Sequence, residues 1–333
     1  MMHMCVSELI VGRSEVMQEL RNEIRRAAPR QTTVLIQGPT GAGKELVARG
    51  LHAESGRRGL FVPFNAAAIP ESLFESELFG HVRGAFSGAV RDQPGLLRRA
   101  CHGTAFMDEV AELSLVAQAK LLRVLDTHEV SPIGGDVGKR TDFRLVAATN
   151  VDLTAAARQG QFRADLLFRL RGIVITVPAL RDHPEDIAPL AAHFGRIAVT
   201  ESGGADLVFT SSALRCLEEY PWPGNVRELR QTVEYAAFLS DGSVIDDVHI
   251  MRTLSPPCAS DALLAPELEE RRVLLELLDV HAGDVAAIAR ALGIDRSTAY
   301  RRMHRLGITV ASRGPRRRPI AVGSDIDLMR WGS

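Results

Sequence analysis

Thr33 to Gln37 (TVLIQ) is a short β-branched run that stops at Gly38-Pro39-Thr40-Gly41-Ala42-Gly43-Lys44, and an apolar-periodic segment, Leu46 to Leu51, follows directly. Strand, glycine loop and helix in that order constrain the fold strongly, because loop N–H groups and the helix N-terminus together make an anion cradle. In that context Lys44 is expected to reach the β- and γ-phosphates of a nucleotide, within a parallel sheet flanked by helices. Glu45 departs from the generic pattern. It stands where most such loops carry the Ser or Thr hydroxyl that binds magnesium, so a metal has to be held from elsewhere.

Thr104 to Glu109 (TAFMDE) supplies the candidate, an apolar strand ending in two adjacent carboxylates. Asp108 is expected to hold magnesium and Glu109 to polarise the water that attacks the γ-phosphate. Two further strands are expected over 61–64, ending at Asn65, and over 143–149, ending at Asn150, which puts both amides on the ligand edge of the sheet. Ala117 to Leu125 places Ala117, Leu121, Val124 and Leu125 at helical spacing, a core-facing stripe. Phe162 to Arg169 carries Arg163 and Arg169 beside apolar residues. Arginines so placed stabilise phosphoryl-transfer charge when a neighbouring subunit presents them in trans, which requires a ring.

Gly84-Ala85-Phe86-Ser87-Gly88-Ala89 interrupts this plan with one bulky apolar side chain between flexible glycines. Such a tip is expected to touch a partner; the plainer expectation is a turn whose Phe folds back onto its own domain. The overall formal charge of −1 gives the whole chain no bias toward polyanions, yet residues 284–318 hold nine arginines against two aspartates. There Leu274, Leu277 and Leu278, then Val285, Ile288, Ala289 and Leu292, then Ala299, Met303 and Leu306 follow helix periods, with Gly293 at a turn and Asp295 as N-cap. Helix, turn, helix with Arg296, Ser297, Thr298, Arg301, Arg302 and Arg305 facing outward is expected to bind double-stranded DNA. Cys5, Cys101, Cys216 and Cys258 are scattered, which argues against a zinc site or a disulfide framework. No apolar run reaches membrane-spanning length and no signal peptide is recognisable, so a cytoplasmic protein is expected, with no membrane partner.

Taken together, GPTGAGKE (38–45), the run from Phe64 to Ala89, GTAFMDEVAEL (103–113), LVAATN (145–150), FRADLLFRL (162–170) and WPGNVRELR (222–230) closely resemble the AAA+ ATPases that activate sigma-54 RNA polymerase, the bacterial enhancer-binding proteins of the nitrogen-regulator type. The resemblance covers roughly residues 10 to 310, and Glu45 is the residue expected in that family. It implies an α/β AAA+ subdomain over 10–177 after an N-terminal extension (1–9), a helical lid over 178–253, a linker over 254–265, an all-α Fis-type helix-turn-helix domain over 266–309 and a basic tail over 310–333.

The resemblance implies roles as well. The P-loop (Gly38, Pro39, Thr40, Gly41, Ala42, Gly43, Lys44, Glu45) would bind ATP with Mg2+; Asn65 looks like the switch that contacts Glu109; Thr149 and Asn150 sit at the first sensor; Arg163 and Arg169 match the arginine fingers; Arg227 matches the second sensor. The 84–89 loop corresponds to the family's GAFTGA element, which contacts sigma-54, with Ser87 in place of threonine. Serine keeps the hydroxyl and gives up a methyl group worth up to about 0.8 kcal/mol when buried at a contact. An activator of sigma-54 polymerase follows, dimeric on DNA and hexameric or mixed in its ATPase ring. No receiver-sized domain fits before about Leu9, so control by expression level or by a separate regulatory protein is expected. The alternatives are a DNA-binding repressor in which ATP tunes oligomerisation only, and a remodeller acting on other clients.

Overall fold

The computed structural model describes residues 6–135, 138–202, 207–240, 244–254, 277–278 and 285–291. Five strands, β1 (Val34–Gln37), β2 (Phe61–Asn65), β3 (Thr104–Asp108), β4 (Arg144–Thr149) and β5 (Ile173–Thr176), form one parallel sheet in the order β2-β3-β4-β1-β5. Both faces are covered, and the period of two in each strand divides its side chains between two cores. Leu35, Ala105, Met107, Leu145 and Ala147 face one core with α3 (Glu71–Phe79), α4 (Leu115–Thr127), α5 (Leu153–Arg158) and α6 (Ala164–Leu170). Val34, Ile36, Phe106, Val146 and Ala148 face the other with α1 (Glu15–Ala27) and α2 (Lys44–Ala53). The strand expected from 143 begins one residue later, at Arg144, and α4 extends the expected 117–125 helix by about half a turn at each end.

Register sets the functional edge. Gln37 lies opposite Thr149 and Asn65 opposite Asp108, so the C-terminal ends of four strands line up on one side of the sheet. Loops leaving that side are where open α/β sheets bind ligands.

Arg144 starts β4 and is buried, yet it has no acidic partner among the described residues. Its guanidinium donates instead to the carbonyls of Ala27, Ala28 and Thr32, closing the C-terminal end of α1. Burial, helped by the charge of Arg57, pulls its pKa down to about 10. A cation at a helix C-terminus satisfies carbonyls that have no partner within the helix and favours the dipole.

A separate apolar core is built by α7 (Ile187–Ser202), α8 (Ser211–Glu219), α9 (Asn225–Leu239) and α10 (Asp247–Leu254) around Phe194, Leu217, Trp222, Val233 and Ile250. Asp186, in the turn that leads into α7, is fully buried. Its carboxylate accepts from the backbone N–H groups of Arg13 and Ser14, the Ser14 hydroxyl and His183 Nδ1. Ser14 also caps α1 by accepting from Met17 N–H, so one acid joins the helical lid to the start of the α/β layer.

The chain divides after Ser255 into two units, the second comprising 256–333. Within that unit α11 (Val285–Ala291) buries Val285, Ile288 and Ala289, three positions of the expected apolar stripe. Arg296, Ser297, Thr298, Arg301, Arg302 and Arg305, the linker and the basic tail lie outside the described residues.

Candidate active site

The loop between β1 and α2 wraps the start of α2, with Gly41 at φ +77° and Gly43 at +98°. A Cβ on Gly41 would lie 2.2 Å from the Gly224 carbonyl oxygen, so glycine is required by space as well as by backbone. Lys44, the first residue of α2, is buried, and its ammonium donates to the carbonyls of Gly38 (3.0 Å) and Pro39 (3.1 Å). Burial lowers its pKa, opposed by Asp108 and Glu109 and assisted by Arg227. Those charges therefore share one site with the phosphate loop. Glu45 turns outward into an ion pair with Arg49 at 2.7 Å, which takes it away from that cluster.

Asp108 closes β3, and its carboxylate accepts from the Glu109 N–H at 3.0 Å. Glu109 has left-handed backbone, φ 54° and ψ 48°, which costs a non-glycine residue roughly 1–2 kcal/mol. Strain at such a position is retained where surrounding structure fixes it, and functional sites are where it concentrates. Among the described residues no cluster of three or more His, Cys, Asp or Glu is arranged to hold a metal. One hard carboxylate beside a phosphate loop still suits magnesium, which is commonly held by one or two carboxylates together with substrate phosphates.

Asn65 sits in register with Asp108, as its strand-end position implies. Its carboxamide oxygen accepts from Ala67 N–H at 2.8 Å and caps the short turn 66–68. No hydrogen bond joins Asn65 to Glu109 among the described residues; the carboxamide oxygen is engaged by its own turn. Asn150 reaches the phosphate loop directly, its Nδ2 donating to Thr40 Oγ1 at 2.9 Å, and Thr149 Oγ1 accepts from Val151 N–H.

The two arginines border α6. Arg163 is its N-cap and pairs with Asp165 through two hydrogen bonds; Arg169 pairs with Asp126 at 3.3 Å and donates to Leu125 O. Both side chains stay about half exposed, with Phe168 between them 79% exposed. Gln118, fully buried on α4, accepts from Arg163 N–H and donates to Leu113 O and Gln161 O, so it fixes the approach to Arg163.

The lid closes over the phosphate loop through a residue that the sequence did not single out. Asn225 begins α9 at φ 54° and is buried. Its Nδ2 donates to Thr40 O at 2.9 Å while its Oδ1 accepts from Leu180 N–H at 3.0 Å. Two residues on, Arg227 N–H donates to Gly41 O at 3.2 Å, which places this residue beside the loop. Trp222, also at positive φ, anchors this turn in the lid core with its indole N–H on Leu217 O. Asn225→Ala would leave Thr40 O and Leu180 N–H without that partner, a loss of about 1–3 kcal/mol. Nucleotide affinity, measured by titration of a fluorescent analogue, is expected to fall about tenfold in that variant.

Residues 84–89 project from a two-residue antiparallel stem, Gly80–His81 against Gln93–Pro94. The stem is tight: a Cβ on Gly95 would lie 2.4 Å from both Gly80 N and Leu78 O. Gly84 N–H donates to Ala89 O, Ala85 N–H to Val82 O and Ala89 N–H to Phe86 O, so the tip is a closed turn. Gly84 and Gly88 have positive φ but open space around them; conformation, not crowding, calls for glycine there. Phe86 is 40% exposed, Ser87 is exposed and Val90 is 80% exposed. Phe86 also leans back onto His81, ring centroids 5.0 Å apart and edge-on, in line with the plainer expectation of a Phe that folds back onto its own domain.

Comparison with known families matches the chain in three successive stretches. The sigma-54 interaction domain family matches residues 10–176, the AAA+ ATPase lid domain residues 181–262, and the bacterial regulatory protein, Fis family, residues 265–306. The Nif-specific regulatory protein of Klebsiella pneumoniae is 43% identical over 305 residues, covering 88% of this chain and 58% of the relative. The transcriptional regulatory protein ZraR of Escherichia coli (strain K12) is 41% identical over 301 residues, covering 89% and 68%. The crystal structure of NtrX from Brucella abortus in complex with ADP superposes with a TM-score of 0.68 at 32% identity, covering 90% of this chain and 69% of that one. The chain spans about three fifths of the length of the Nif-specific regulatory proteins it matches. With half its length matched by the first family, followed in order by the lid and Fis-family segments, the chain belongs to the sigma-54 interaction domain family of AAA+ ATPases.

Proposed function

We propose that this chain is a sigma-54-dependent transcription activator that hydrolyses ATP in a ring and delivers the work through residues 84–89. The convergence of Lys44, Asp108 and Glu109 at one sheet edge, beside an exposed apolar tip, carries this reading. Water attacks the γ-phosphorus with Glu109 orienting it and accepting its proton; the bond from that phosphorus to the β–γ bridging oxygen breaks, giving ADP and phosphate. Asp108 would hold magnesium, whose charge would offset that of the phosphates; Arg163 and Arg169 reach the γ-phosphate of the next subunit after leaving Asp165 and Asp126.

The plan of the chain is an AAA+ subdomain over 10–177, a lid over 178–253 and a helix-turn-helix over 266–309 that binds DNA upstream of the promoter as a dimer. The ATPase ring is a hexamer of this chain or a mixed ring, in the cytoplasm, with a separate regulatory protein as a partner.

Open-complex formation on a sigma-54 promoter with purified polymerase tests the proposal. Wild type is expected to open the promoter with ATP. Lys44→Ala is expected to lose both hydrolysis and opening, and Phe86→Ala to lose opening while retaining hydrolysis. Hydrolysis by wild type with no opening at any protein concentration would instead favour a repressor in which ATP controls assembly.

A further inference from the structure

We infer that His81 is the positioning residue of the 84–89 loop: its ring is the seat that holds Phe86 down, and Ser76 sets the orientation of that ring. His81 lies in the stem and is buried, 9% exposed, although histidine is a polar residue. Its Nδ1 is 2.8 Å from Ser76 Oγ, itself buried on α3. The bond locks the imidazole plane so that its outer side meets Phe86 edge-on, at 65° between planes. Edge-to-face pairs at this separation are favourable beyond their area alone. No other ring approaches Phe86 among the described residues, and the space around Gly84 and Gly88 is open. The contact with His81 is therefore the aromatic restraint on a tip whose other ties are its own backbone bonds, the approach of Ala85 to Gly134 and the bonds of Val82 N–H to Ile133 O and Arg83 N–H to Asp92 at its base.

The path behind the seat is continuous. Asn65 caps the 66–68 turn, α3 follows from Glu71, Ser76 projects from that helix, and His81 lies directly beyond it. A displacement of α3 carries Ser76 with it and turns the His81 ring, which is a physical way to free Phe86 without unfolding the stem. The seat rests on the geometry alone; its consequence for polymerase rests on the function proposed above.

Hydrogen exchange of the 82–90 segment in the full chain decides it. His81→Ala is expected to speed exchange of the Gly84, Ala85 and Ala89 amides about two- to tenfold. His81→Phe, which keeps a ring and gives up the bond to Ser76, is expected to restore most of the protection; Ser76→Ala is expected to give a smaller increase. ATP hydrolysis should stay at the wild-type rate in all three variants, which excludes general unfolding. Equal exchange in wild type and His81→Ala would overturn the seat, as would His81→Phe exchanging as fast as His81→Ala. Promoter opening by the same variants is a separate readout: its failure in every protein, wild type included, would sink the polymerase reading while exchange still decides the seat.

Discussion

Glu109→Gln is expected to slow ATP hydrolysis by about 10²- to 10⁴-fold, the usual contribution of a positioned general base, with ATP binding left close to wild type. Glutamine keeps the shape and one oxygen but cannot take a proton from water. The backbone gives this residue its direction: at φ 54° Glu109 leaves the strand axis, and its N–H is tied to the Asp108 carboxylate. The substitution preserves both features, so a loss of rate reports on chemistry. Single-turnover hydrolysis alongside nucleotide titration separates the two steps. A rate within threefold of wild type (roughly 0.7 kcal/mol) would remove Glu109 from the role of base.

Asp186→Asn is expected to destabilise the folded chain by about 2–4 kcal/mol, because a buried acceptor facing only donors is replaced by a group that is half donor. Burial acts to raise the Asp186 pKa, but the hydrogen bonds from Ser14 and Arg13, with the charge of His183, outweigh it and hold the carboxyl below its usual range. A carboxyl depressed in the folded state contributes stability above its unfolded pKa, about 3.9, and loses it as pH falls through the folded value. The gap in Tm between wild type and variant should therefore be constant above about pH 5 and shrink below about pH 4. A gap that stays constant into strong acid would mean that the carboxylate charge is not what joins Asp186 to Arg13 and Ser14.

The strand, phosphate loop and paired carboxylates were legible because each rests on local sequence: β-branched runs with period two, glycines at positive φ, and acids at a strand end. The 117–125 stripe was legible for the same reason. What escaped were single polar residues whose partners lie far along the chain. Asn225 bonds to Thr40, Asp186 to Arg13 and Ser14, and Gln118 to the backbone of Arg163, and no spacing rule connects such pairs. Asn65 shows the converse, since its strand-end position was foreseen but its carboxamide oxygen is used by its own turn. For Phe86 the glycines gave the turn correctly, while the histidine beneath it was visible only in three dimensions.

The glycine-to-glycine stem at Gly80 and Gly95 has an evolutionary side. It places the tightest packing at the root of the projection, where a single methyl would collide with backbone, and leaves open space at Gly84 and Gly88 of the tip. Exposed positions of the tip such as Ser87 and Val90 can change without touching the sheet, while Gly84 and Gly88 stay fixed by their backbone. Ser87, exposed at that tip, is a residue of this kind, and a change there adjusts what is presented and not where.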